Sequence, residues 1–149
     1  MRAFAMGLSA AFFGTALAMA AEPIAATDGE MPGANIKVQE LKAASGAMTL
    51  KIVLENNSDK AVSLYELMTS SEGYSVDGIY LLDVTGKKKY LVVRDADGHC
   101  LCSRAITHEM APNSSAAYWA KFPLPPDSVQ KIGIVVPHFI PMDDVPISR

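Results

Sequence analysis

Between Met48 and Glu55 the chain interleaves Met48, Leu50, Ile52 and Leu54 with Thr49, Lys51, Val53 and Glu55. Successive side chains of an extended backbone point to opposite faces, so this spacing predicts a strand with one buried face. A helix would scatter the same four apolar residues around its axis. The strand ends at Asn56-Asn57-Ser58-Asp59, short polar residues whose side chains bond the local backbone and favour turns.

The pattern recurs along the chain. Ala61 to Leu67 reads as a strand, Ser70 to Gly73 as a turn, and Tyr74 to Val84 as a longer strand. The turn Thr85-Gly86-Lys87-Lys88 leads to Tyr90-Leu91-Val92-Val93, and Asp95-Ala96-Asp97-Gly98 turns the chain into a cysteine segment. After Pro112-Asn113-Ser114-Ser115 comes Ala116 to Phe122, which holds the only tryptophan, Trp119. The loop 123–127 precedes an apolar run from Val129 to Val136 that Pro137 stops. Short strands at regular spacing, with no convincing amphipathic helix, predict an all-β antiparallel sandwich, an immunoglobulin-like or cupredoxin-like Greek key.

Arg2, an uncharged run from Phe4 to Met19 and the triplet Ala18-Met19-Ala20 have the order of a secretory signal peptide. Cleavage is expected after Ala20, with Ala21 as the alternative. The run is shorter than the roughly 20 apolar residues that span a bilayer, so no integral membrane segment is expected after cleavage. The expected location is periplasmic or secreted. Residues 21–34 mix Pro, Gly, Asp and Ala without periodicity and read as a flexible leader. Residues 35–149 then form one domain.

The formal net charge is −3, and the basic run Lys87-Lys88-Lys89 reads as a solvated hairpin turn. No basic patch interleaved with aromatics is present, so nucleic acid is not an expected partner. The strands carry more than enough Leu, Ile and Val to build a core, each worth roughly 1.5–3 kcal/mol when fully buried. Neither metal nor disulfide is required for the fold on those grounds.

The two cysteines lie two residues apart in Gly98-His99-Cys100-Leu101-Cys102-Ser103. On an extended segment both thiols face one way, and three readings follow. An intrachain Cys100–Cys102 bridge fits an oxidising compartment, provided the segment bends to bring the Cα atoms within reach. A thiol–disulfide redox site would need a cation or helix N-terminus to lower a thiolate pKa, and Arg104 and His99 are at hand. Thirdly, Cys100, Cys102, His108 and Met110, with His99 as a weaker donor, are soft ligands suited to Cu(I). Asp95-Ala96-Asp97-Gly98 echoes the start of a calcium loop, but Ile106 stands where the closing carboxylate belongs, so it reads as a turn. Asn56-Asn57-Ser58 and Asn113-Ser114-Ser115 match the glycosylation sequon.

The run from Tyr90 to Ser103, with Phe122-Pro-Leu-Pro-Pro126 after it, resembles a group of uncharacterised bacterial secreted proteins with an immunoglobulin-like β-sandwich. That resemblance implies a fold and a compartment, and no activity. A second likeness is to periplasmic copper chaperones of cupredoxin-like fold: His99 and Met110 have the spacing of their first His and Met. The later His-x-Met pair is missing, since Phe139 and Ile140 follow His138. No nucleophile motif, phosphate loop or spaced carboxylate pair stands out. The expected function is a non-enzymatic binding or scaffold domain of the bacterial envelope without a cofactor, acting on an envelope or protein partner. A Cu(I) chaperone and a thiol redox protein are the alternatives. Partner binding by strand addition to an exposed sheet edge is a further expectation.

Overall fold

The structure is a computed structural model that describes residues 21–64 and 75–149. Strands β1 (Ala25–Asp28), β2 (Ala34–Ala44), β3 (Ala47–Asn56), β4 (Val62–Ser63) and β5 (Tyr80–Asp83) come first. Then follow β6 (Lys88–Leu91), β7 (Glu109–Met110), β8 (Ser114–Phe122), β9 (Lys131–Val135) and β10 (Met142–Pro146). The described residues contain no helix. Among the described residues there are two four-stranded sheets, β1-β2-β3-β8 and β10-β9-β5-β6, and a separate two-stranded β4-β7 pair. Each pairing between these strands is antiparallel. The chain crosses from the first sheet to β5 and β6, returns to β8, and crosses again to β9 and β10, so the fold is the all-β sandwich that the strand pattern predicts.

The core follows the same alternation. Met48, Leu50, Ile52 and Leu54 are all buried on the inner face of β3. They meet Tyr118, Ala120 and Phe122 of β8 and, from the second sheet, Leu81, Ile132, Ile134 and Val145 in one apolar cluster. Their strand partners Thr49, Lys51 and Val53 face outward, opposite Lys121, Trp119 and Ala117 of β8.

Residues 25–28 correct the expectation of a flexible leader. They pair residue by residue with 35–38 of β2, and the amide of Ile24 donates to the carbonyl of Val38 at 2.8 Å. β2 has no counterpart among the expected strands, because a bulge at Gln39 shifts its register between Val38 and Glu40. The shift moves the buried phase from Ile36 and Val38 to Leu41, and a fixed period of two misses it. Ser45 and Gly46, at φ 52° and 83°, make the two-residue hairpin turn between β2 and β3.

The strand expected over 74–84 is shortened to β5. Ser75 instead bridges Arg104, and part of the expected 61–67 strand, like Tyr74, falls outside the described residues. Only Lys87 of the basic run lies in the turn, at φ 51°; Lys88 and Lys89 belong to β6, an outer strand of its sheet.

Candidate functional site

The chain leaves β6, turns at Asp95–Gly98 and runs back along β8. Leu101 N–H donates to the Val93 carbonyl at 2.7 Å, Lys121 N–H to Leu101 at 2.9 Å, and Ser103 N–H to Trp119 at 2.8 Å. The Ser103 hydroxyl accepts from Trp119 N–H at 3.0 Å. Residues 101–103 thus occupy the edge of β8 that β3 leaves open.

The turn is fixed by its first residue. Asp95 Oδ1 accepts the backbone N–H of His99 at 2.8 Å and of Asp97 at 3.0 Å. The bond from the His99 amide, with that from Asp97 and the nearby imidazole, holds the Asp95 carboxyl below the usual carboxylate range despite some desolvation. Gly98 takes φ 88°, a conformation that costs glycine little.

Cys100 and Cys102 sit side by side, with sulfurs at bonding distance and Cα atoms 5.3 Å apart. The segment has bent as the bridge requires. Both side chains are buried, while Leu101 between them is exposed, so Cys100 and Cys102 point inward.

The other expected copper ligands are placed elsewhere. Cys102 bridges Ala120, which pairs with Leu50 of β3. Met110 is buried opposite Val62, and its carbonyl accepts from the Asn56 amide at 3.3 Å. Leu50 and Asn56 are six residues apart on β3, about 20 Å along a strand. The sulfur of Met110 and the two cysteine sulfurs therefore belong to opposite ends of the sheet. His108 precedes β7 at the Met110 end, where its carbonyl accepts from Leu64 N–H at 2.8 Å. His99 lies on the turn, its Nδ1 3.6 Å from Asp95 Oδ2. Among the described residues, the His, Cys and acidic side chains that gather three together within 4.8 Å of one another are Asp95, Asp97 and His99. The expected four-donor copper set is not assembled in this fold.

Sequence reasoning gave no role to a second feature, the outer face of the β1-β2-β3-β8 sheet. Trp119 stands there at 41% exposure, in an open, mostly apolar depression lined by Gln39, Thr49, Lys51, Val53, Ala117 and Lys121. The bulge at Gln39 bends β2 beside it. Lys51, directly opposite Trp119, pairs with Glu40 at 3.2 Å. Beneath the depression, burial pushes the Tyr118 phenol above its ordinary range. The signal for this face was present: Thr49, Lys51 and Val53 alternate against the core, and a lone tryptophan lies among small residues. What the sequence lacks is the register that puts Trp119 beside Lys51.

The chain matches no protein-family model, no curated protein and no solved structure. Function therefore rests on the site itself. None of the described residues forms a helix long and apolar enough to cross a membrane.

Proposed function

We propose that this is a non-catalytic binding domain that works outside the cytoplasm and presents the Trp119 face to its ligand. The observation that carries the reading is the exposed indole itself. A large aromatic ring in an apolar depression on a rigid sheet is the kind of anchor around which binding surfaces are built, and neighbouring backbone bonds fix its strand. Within the described residues the first strand begins at Ala25, so cleavage after Ala20 leaves every described strand intact, and export of residues 21–149 as the working chain is part of this proposal. The mass of the protein recovered from its native compartment checks this, and a retained N-terminus would refute it.

The cysteine pair has a structural role in this reading. A Cys100–Cys102 disulfide locks the bend that lays residues 101–103 against β8. Burial of both sulfurs favours that role over redox turnover, which needs an accessible sulfur for attack by a partner thiolate.

The test is an amide NMR titration of residues 21–149 with soluble glycans, peptides and lipid vesicles. Shifts should cluster at Thr49, Lys51, Val53, Ala117 and Trp119 and vanish in Trp119→Ala. Ligand shifts confined to another surface, or unchanged in that variant, would overturn the assignment of the face.

A further inference from the structure

We infer that the Trp119 face binds an anionic polysaccharide, its indole stacking on a sugar ring while Lys42 and Lys121 meet the sugar carboxylates. The inference deepens the binding-face reading and rests on it.

Cross-strand register sorts the charges of this face into rows. Asn35 and Glu55 pair at one end, with Asp28 beside Asn35. The next row sets Lys37 opposite Val53, and Lys37 reaches along to Glu55 at 2.7 Å. Then come Glu40, Lys51 and Trp119, with the first two paired to each other. The last row is Lys42, Thr49 and Lys121. Among the described residues, neither Lys42 nor Lys121 has an acidic partner within 4.0 Å. Asp28 and Glu55 thus lie at one end, Glu40 is taken up by Lys51 in the tryptophan row, and the two uncompensated cations share the row beyond Trp119 at the other end.

The spacing selects the ligand. Lys42 and Lys121 sit two strands apart, so their backbones are about 10 Å from each other, the length of a disaccharide in an extended pyranose chain. Trp119 is two residues from Lys121 on the same face, about 7 Å away. A sugar ring lying flat on the indole would place carboxylates of its neighbours near the ammonium groups. Gln39 and Thr49 line the same depression and offer hydrogen bonds to hydroxyls. A purely acidic peptide such as poly-glutamate satisfies the lysines but has no ring for the indole. A neutral glycan satisfies the indole and leaves the lysines unused.

Trp119 is the only tryptophan in the chain, so its fluorescence reports on this face alone. Residues 21–149 would be titrated with β-linked oligomannuronate, with a neutral cello-oligosaccharide and with poly-glutamate, at low and physiological salt. Oligomannuronate should shift the emission saturably and bind less well as salt rises, because exposed charges are screened beyond about 8 Å. By calorimetry, Lys42→Gln and Lys121→Gln should each weaken it about threefold, and Trp119→Ala on the order of tenfold or more. Equal binding of the neutral oligosaccharide, equal binding of poly-glutamate, or lysine variants with unchanged affinity would each overturn the inference. Silence toward oligomannuronate with NMR shifts at this face from another ligand would overturn it while the binding face stands. Silence toward every ligand in both experiments would remove both.

Discussion

Asn56 shows how much one polar side chain decides in this fold. It is almost fully buried at the end of β3, and its amide donates to the carbonyls of Lys60, Met110 and Ala111 at 2.7, 3.3 and 3.0 Å. Its Oδ1 accepts the Ser58 amide and hydroxyl at 3.0 and 2.7 Å. One residue thus ties the β3–β4 turn to the approach to β8. Although Asn56 begins a glycosylation sequon, its nitrogen is committed inside the fold, whereas Asn113 of the second sequon is exposed. Asn56→Ala strips these carbonyls of their donor and is expected to cost about 2–3 kcal/mol, read from urea unfolding. Asp95 gives a pH prediction. Its folded pKa lies below the ordinary value, so the ionised form helps the turn above the normal carboxylate range, and that help is lost as pH falls through the depressed pKa. Amide exchange at Asp97 and His99, corrected for intrinsic rates, should accelerate over that window. Asp95→Asn, which keeps an acceptor oxygen without the charge, should remove the pH dependence.

At the scale of elements, the edges of the sandwich are managed, and this bears on partner binding by strand addition. Residues 101–103 cover β8. The outer side of β1 lies against 138–140, where Gly29 bridges Phe139 and the Thr27 hydroxyl donates to the Ile140 carbonyl at 2.8 Å. Beyond β1, Ser148 exchanges backbone bonds with Leu41 and Ala43 of β2 at 2.9 and 2.8 Å. β10 is irregular between Met142 and Val145. β6 keeps an outer side and carries Lys88 and Lys89, the latter with its ammonium 3.7 Å from the centre of the Tyr80 ring. Lysines on an outer strand oppose pairing with another chain, which is the physical reading of a run that resembles a plain turn in sequence. Replacing Lys88 and Lys89 with threonine should promote self-association in sedimentation at high concentration; a strictly monomeric variant would count against the lysines as guards. Reduction of the cysteine pair should speed amide exchange at Leu101, Ser103 and Lys121 and leave β2 and β3 protected. Uniform loss of protection would mean that the bridge supports the whole sandwich.

For the whole molecule, one apolar cluster draws on both sheets, so the two layers should unfold together. The cysteines contribute to that cluster but close a very short loop. The chain-entropy account gives a bridge of this span about 1.5 kcal/mol, small beside the burial of the strand residues. A Cys100→Ala/Cys102→Ala variant is therefore expected to keep a single cooperative transition with a lower midpoint; coincident melting followed by circular dichroism and by Trp119 fluorescence would check it. Two separated transitions would show that the cysteine segment organises more than an edge.

Short strands at regular spacing determined by themselves that this chain builds an all-β sandwich, and the period-two alternation of β3 determined which of its residues enter the core, because side-chain direction in a strand is a local property. The bend at the cysteine pair followed only from the bridged reading, whereas the Asp95–Gly98 turn was legible because Asp and Gly carry their turn preference locally. β1 and β2 were not: β1 is a strand only because β2 offers it hydrogen bonds, and the Gln39 bulge breaks the alternation that would reveal β2. Nor could sequence spacing place His108 and Met110, since ligand types that lie close in sequence are carried to the far end of the sheet by the course of the chain. The Trp119 face is likewise a product of register. Only pairing of β2, β3 and β8 brings Lys42, Lys51, Trp119 and Lys121 onto one surface, through pairings between residues as much as 74 positions apart, Met48 and Phe122.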